Sequence, residues 1–331
     1  MNVQGLSDLE RAAASGDAAA MTVLGSRLLT GNEGTFAPQQ GADWLVRAAE
    51  QGNGEACALV AVLAGAGVCR PQRWDAALDY LQRSAELGWE RAQAQLALLA
   101  GRETDATAGA PDRWERLRHA IDIGAWTASP SKEVLSEAPR IRKIANFASA
   151  AVCAWLIERA RGKLGRARTY DVETGEGIVE DSRTNREADF NIVESDLVLI
   201  FLRARIAAAT DLPPAVMELT KVLHYAVGQR FAPHYDFIDP ATPGLAGEMA
   251  ARGQRLATLL VYLNDDYEGG ATEFPAIGLR HRGHRGDALL FANVDLAGRP
   301  DRRTLHAGLP PTRGEKWVLS QWIRDRTPAQ G

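Results

Sequence analysis

His234 and Asp236 stand two residues apart in Phe231-Ala232-Pro233-His234-Tyr235-Asp236-Phe237, and His306 follows far downstream. Alternate side chains of a strand face the same way, so His234 and Asp236 are expected on one strand face, able to converge on one ion. A second imidazole from His306 would complete a set of two histidines and one carboxylate. That set holds ferrous iron and leaves positions open on it. The His-x-Asp spacing alone says little, and each histidine also has a plain reading as a core residue with a satisfied hydrogen bond.

A second feature follows His306. The run Arg303-Thr304-Leu305-His306-Ala307-Gly308-Leu309-Pro310-Pro311 leads into Arg313-Gly314-Glu315-Lys316-Trp317. Pro and Gly mark a turn, so a strand carrying His306 is expected to reverse and return with Lys316. On the returning strand Lys316, Val318, Ser320 and Trp322 share one face. A buried lysine there needs an anionic partner, and a dicarboxylate chelating the iron would present one at its far end. The alternative is a solvated lysine on an edge strand.

Residues 138–326 are similar to the prolyl 4-hydroxylase family of iron(II)- and 2-oxoglutarate-dependent oxygenases. The resemblance is carried by Tyr225-Ala226-Val227-Gly228-Gln229, His234-Tyr235-Asp236 and the stretch from Leu256-Ala257-Thr258 to Tyr262-Leu263-Asn264. It continues in Gly269-Gly270-Ala271-Thr272-Glu273-Phe274-Pro275, Gly286-Asp287-Ala288-Leu289-Leu290-Phe291, Thr304-Leu305-His306-Ala307-Gly308 and Gly314-Glu315-Lys316-Trp317. It implies that His234, Asp236 and His306 bind Fe(II), and that Lys316, ten residues after His306 (316 − 306 = 10), pairs with the 5-carboxylate of 2-oxoglutarate. It also puts Tyr225 and Tyr262 beside that cosubstrate, with Thr258 and Trp322 as further candidates; an ordinary core role stands against each of the four. Arg183, in Asp181-Ser182-Arg183-Thr184, falls where the family has an Arg-Thr segment near the substrate groove; it would guide a peptide or cap a loop.

The activity so implied consumes 2-oxoglutarate and O2, releases succinate and CO2, and hydroxylates a prolyl residue of a peptide or protein, with ascorbate as an accessory reductant. Two alternatives stand beside it. One is the same chemistry on a non-prolyl or small-molecule substrate, because one fold hosts many functions. The other is an interaction protein whose metal domain is inert. The implied fold is a double-stranded β-helix, an antiparallel jelly-roll with the iron between two sheets. The stretch Leu256 to Leu263 is apolar on both faces, as a central strand would be. A helix is expected from Ser149 to Gly162, and another from Val193 to Thr210 as a brace behind a sheet. Between Phe237 and Gln254 no strand alternation is seen, and a loop there would close over substrate. His224 reads as a core histidine, and the basic run from Arg280 to Arg285 as a solvated hairpin tip.

The first third of the chain repeats. Gly16, Gly52, Gly88 and Gly124 recur at intervals of 36 residues (52 − 16, 88 − 52, 124 − 88), each preceded at seven residues by Leu9, Leu45, Leu81 or Leu117. Ala12, Ala48, Ser84 and Ala120 stand four before, and Ala20, Ala56 and Ala92 four after the first three. Glycine releasing one helix as the next begins, with small residues where helices meet, describes stacked helix pairs. The motif Ala48-Ala49-Glu50-Gln51-Gly52 resembles Sel-like repeats of the tetratricopeptide superfamily. The resulting fold class is α+β multidomain: helical repeats over 4–126, a linker over 127–137 and an iron(II)/2-oxoglutarate dioxygenase domain over 138–327. Such an array either presents a face to a protein partner or supports the domain beside it. Its interruptions, Gly31 to Gln40 and Gly101 to Ala110, read as inserted loops.

Composition narrows the partners. A chain of 331 residues has length for two domains, and 24% charged residues with net charge −4 lacks the basic excess of a general nucleic-acid binder. Cys57, Cys69 and Cys153 are too few and scattered for a disulfide framework. Met1 to Glu10 is polar where a secretory leader would be basic and then apolar, and no run approaches a membrane span. A cytoplasmic setting, without membrane or nucleic acid, is the expectation.

Overall fold

The computed structural model describes residues 3–32, 34–102, 110, 112–170, 173–174 and 177–327. The chain forms two units: Met1–Ala128 with Phe190–Arg205, and Ser129–Asp189 with Ile206–Gly331.

In the helical unit, Val3–Ala14 precedes Ala18–Thr30, Pro38–Glu50 precedes Gly54–Ala66, and Trp74–Glu86 precedes Glu90–Leu99. Between the members of each pair, Gly16, Gly52 and Gly88 take positive φ angles of 101°, 83° and 85°, a left-handed turn that costs glycine least. Leu45, Leu81, Ala48 and Ser84 are fully buried. The backbones of Ala18–Thr30 and Pro38–Glu50 touch, since a Cβ on Gly41 would lie 2.6 Å from the Gly25 carbonyl oxygen. The fourth repeat departs from the pattern. Gly124 lies inside the short helix Ile123–Thr127 and Ala120 is exposed, because the array ends there and no next repeat covers it. Most of the expected loop Gly101 to Ala110 lies outside the described residues.

The helix expected over Val193 to Thr210 as a sheet brace is corrected in start and place. It runs Leu197–Thr210, because the Asp196 carboxylate accepts the Leu199 N–H (2.9 Å) and caps it there. Its residues up to Arg205 belong to the helical unit. There Gln95 accepts the Leu197 N–H (2.9 Å) and Phe201 stacks on Trp74 with centroids 4.2 Å apart. Leu197 to Leu202 are all buried, so the run is apolar all round rather than on one face.

Among the described residues the second unit carries two main antiparallel sheets and two two-stranded ones, Glu268–Gly269 with Pro311–Arg313 and Thr169–Tyr170 with Gly177–Ile178. The larger has the order Glu133–Glu137, Arg140–Ile144, Ala288–Ala292, Arg255–Tyr262, Lys316–Arg324, Thr220–Tyr225, Arg186–Phe190, Gly165–Arg166. The smaller has the order Leu279–His281, Thr272–Phe274, His306–Gly308, Phe231–His234. From Thr220 onward the chain crosses back and forth between the two main sheets, apart from the hairpin of Thr272–Phe274 with Leu279–His281 inside the smaller one, which is the winding of a jelly-roll. Phe291 of the larger sheet packs on Phe274 and His306 of the smaller, with centroids 5.2 and 4.8 Å apart. Arg255–Tyr262 is flanked on both sides by strands, as its doubly apolar sequence requires. Ser149 caps the helix Ala150–Arg161 through the Val152 N–H (3.2 Å).

Two expectations about connections are corrected. Of the segment 127–137 expected as a linker, Glu133–Glu137 is a strand paired with Arg140–Ile144, the ladder overriding its polar composition. Between Phe237 and Gln254 stands a helix, Ala246–Arg252, built from good helix formers and tied to Arg324 through Glu248 and the Gly253 carbonyl.

The base of the larger sheet holds a buried ionic cluster. Glu218 accepts from Arg255 Nε (2.6 Å) and Arg324 Nε (2.7 Å). Burial alone would push its carboxyl up, but the Arg255 and Arg324 guanidiniums outweigh that and hold it at about 2. Glu218→Ala would take the shared carboxylate from two buried guanidiniums, of which Arg324 keeps Glu248, so a loss of about 3 kcal/mol in unfolding free energy is expected, read from the denaturant midpoint. The folded value lies below the ordinary glutamate value of 4.5. Its stabilisation is therefore complete above that pH and fades as pH falls towards 2.

Candidate active site

The three sequence-singled ligands converge. His234 and His306 are direct cross-strand partners in the smaller sheet, with ring centroids 4.3 Å apart. Asp236 Oδ1 lies 3.6 Å from His234 Nε2, and Asp236 Oδ2 lies 3.5 Å from His306 Nε2. The expectation that His234 and Asp236 share a strand is corrected: the strand ends at His234 and Asp236 sits in the bend that follows. Its carboxylate is held from the opposite sheet, where Thr258 Oγ1 donates to Oδ2 at 2.7 Å.

Each imidazole has its Nδ1 on a backbone carbonyl, His234 on Ala232 (2.8 Å) and His306 on Thr304 (2.9 Å). A neutral ring donating there presents a bare Nε2 to its neighbours. Burial, reinforced by His306, pulls His234 down to about 3, so that ring is neutral throughout the physiological range. Burial would raise Asp236, but His306 and His234 outweigh it and keep the carboxyl low. Among the described residues this is the one group of three potential metal ligands, with donor atoms all within 4.8 Å. Two imidazole Nε2 atoms and a carboxylate meeting at one point fit a divalent cation, and the two-histidine, one-carboxylate set fits iron(II).

Lys316 opens the strand Lys316–Arg324 of the larger sheet and is 2% exposed. Its ammonium donates to the Gly270 carbonyl (2.7 Å) and lies 5.3 Å from the Tyr225 ring and 5.7 Å from that of Tyr262. Burial pulls it down to about 7, and among the described residues it pairs with no carboxylate. One cavity is lined by Lys316, Tyr225, Trp322 and Arg183 together with His234, Asp236 and His306. Val318 and Ser320 line it too, as the alternation from Lys316 requires.

Residues 220–324 match the family model of the 2OG-Fe(II) oxygenase superfamily. Prolyl 4-hydroxylase 1 of Arabidopsis thaliana is 32% identical over 238 residues, which cover 65% of this chain and 82% of that protein. The chain belongs to the prolyl 4-hydroxylase family. The chain is also similar to a viral collagen prolyl hydroxylase of Paramecium Bursaria Chlorella virus-1 in its 2OG complex (27% identity, 55% of this chain and 94% of that one, TM-score 0.42). A Sel1 repeat protein of Oxalobacter formigenes matches 36% of this chain and 90% of its own (26% identity, TM-score 0.30).

In this prolyl 4-hydroxylase family member the remaining candidates divide. Tyr225 is the cross-strand partner of Lys316, and burial pushes its phenol up to about 12, so it is a neutral donor at working pH. Trp322 lines the cavity with the Arg255 guanidinium 3.8 Å above its ring. Tyr262 stands a layer behind, bonded to the cavity-lining Thr272 (3.0 Å). Thr258 is also one layer back, on the Asp236 carboxylate. Arg183 is 3% exposed and bonded to Glu187 (2.6 Å), the Arg168 carbonyl (2.7 Å) and Asn185 (3.2 Å). It packs 4.5 Å over Phe231, whose ring stacks on His234 at 3.4 Å between centroids. His224 pairs with Glu315 (2.8 Å) and packs on Trp317, away from the cavity.

The sequence reading passed over Phe231, Thr272, Gly308 and Asn293. Gly308 leaves room for the site: a Cβ there would stand 3.2 Å from the Tyr225 hydroxyl, which would have to shift. Asn293 is wholly buried and donates to Thr258 (3.0 Å); one asparagine after an apolar run gives no signal in sequence.

Proposed function

We propose that the protein is a 2-oxoglutarate-dependent dioxygenase that hydroxylates a prolyl residue of a peptide or protein. The observation that carries it is one cavity with the three-ligand cluster and a buried lysine that lacks a carboxylate among the described residues. His234, Asp236 and His306 would hold iron(II), and Lys316 would hold the distal carboxylate of 2-oxoglutarate, with the Tyr225 hydroxyl beside it. Bound iron supplies the redox chemistry, in which O2 and 2-oxoglutarate give succinate, CO2 and one hydroxyl group on the substrate.

The chain's own residues fix where this happens. The Ala232 and Thr304 carbonyls set the tautomer of each histidine, and Thr258 sets the carboxylate. Leu223, Leu260 and Val318 give the cavity an apolar wall that excludes water. The Lys316 ammonium gives a two-ended acid one orientation, because a charge buried at one end accepts only a carboxylate there.

The helical unit includes the chain's own segment 190–205. The test is incubation of the full chain with Fe(II), 2-oxoglutarate and proline-containing peptides. A gain of one oxygen on proline, matched by equimolar succinate, is expected. Oxygen on free amino acids or on another side chain would move the substrate assignment, and no iron-dependent succinate would remove the activity.

A further inference from the structure

The carboxylate at the ligand cluster has a built support behind it that no other feature of the site explains. Asn293 is 0% exposed and Thr258 1% exposed, so their hydrogen bonds are formed without water to compete. Asn293 Nδ2 donates to Thr258 Oγ1 at 3.0 Å. The hydroxyl has one proton, and with Oγ1 already accepting from the amide, that proton points to Asp236 Oδ2 at 2.7 Å. Oδ2 therefore serves as the acceptor at this end of the carboxyl group.

Three strands fix this line. Thr258 faces Trp322 across one ladder and Phe291 across the other. Asn293 follows the strand Ala288–Ala292 directly, its N–H on the Leu256 carbonyl (2.8 Å) and its carbonyl accepting from Asp301 (3.0 Å). The relay is thus anchored on the larger sheet, while both histidines sit on the smaller one.

We propose that Asn293 and Thr258 are positioning residues that hold Asp236 as a one-sided ligand, with Oδ2 occupied by Thr258 and Oδ1 left to the metal. The assignment rests on the iron(II) reading above and adds to it the direction of a hydrogen-bond chain. Thr258 acts through Asp236 rather than on the cosubstrate, which replaces the role that family resemblance gives it. Outer partners of metal ligands typically contribute about 10–100-fold in metal affinity.

The experiment is anaerobic titration of the full chain with Mn(II), without 2-oxoglutarate or substrate, following free Mn(II) by electron paramagnetic resonance. Thr258→Val keeps the shape and removes the hydroxyl; it is expected to weaken Mn(II) by about 10–100-fold, with Thr258→Ser restoring affinity near the parent value. Asn293→Asp leaves Thr258 intact but turns the donor into an acceptor, so the threonine proton swings away from Asp236. It is expected to weaken Mn(II) at least as much as Thr258→Val. A merely structural role would alter the melting temperature of these variants without this order of affinities. If Thr258→Val does not fold, Thr258→Ser against Asn293→Asp decides. Parent-like affinity in Thr258→Val or Asn293→Asp overturns the relay alone. A parent chain that binds no Mn(II) overturns the metal reading and the relay with it.

Discussion

Asp236→Ala is expected to abolish iron-dependent succinate formation while the chain stays folded. Asp236 contributes the one negative charge of the cluster, and its two oxygens face one histidine each, 3.6 and 3.5 Å away. Without it two neutral imidazoles on neighbouring strands would have to hold a divalent ion alone. The fold should tolerate the change because it removes a buried charge instead of leaving one, and Thr258 keeps its bond from Asn293. Succinate assay beside circular dichroism checks both halves. Full turnover by a folded Asp236→Ala chain, with no carboxylate added to replace it, contradicts the ligand assignment.

Lys316→Met should weaken 2-oxoglutarate by a factor of hundreds to thousands. A buried ion-pair partner is worth about 3–5 kcal/mol when its mate is already in place. In the free protein the same substitution removes an uncompensated buried ammonium, so the melting temperature should not fall. The pH dependence has a definite sign. With the ammonium brought down to about 7 by burial, it loses its proton as pH rises through that value, whereas the bound dicarboxylate requires the charged form. Binding therefore takes up a proton and weakens above about pH 7 by up to tenfold per pH unit. Calorimetric titration in buffers of different ionisation enthalpy should show the uptake in the parent chain and none in Lys316→Met.

Much of the site could be read in advance because strand geometry is short-ranged. Two-residue alternation places Lys316, Val318, Ser320 and Trp322 on one face without knowledge of the fold. The 36-residue spacing likewise gives the helix pairs, since a glycine with a left-handed turn is needed at each exit. What escaped depends on contacts between distant segments. Nothing in Leu197 to Leu202 says that its partners are Trp74 and Gln95, more than a hundred residues earlier. Thr258 and Tyr262 lie on the strand whose Leu260 lines the cavity, yet one side chain points to the back of Asp236 and the other to Thr272. Asn293 matters only because the Ala288–Ala292 strand ends beside Thr258. Asp236 lies beyond its strand because the carboxylate is gripped from the other sheet, a tertiary effect that alternation misses.

The central claim is that three side chains hold iron and a fourth holds the far end of 2-oxoglutarate in one cavity. An anaerobic crystal structure with Fe(II) and 2-oxoglutarate, phased with anomalous scattering at the iron edge, tests it most directly. The expected result is an iron peak bounded by His234, Asp236 and His306, with a cosubstrate carboxylate on Lys316. An iron peak elsewhere, or a dicarboxylate that leaves Lys316 uncontacted, would contradict the account.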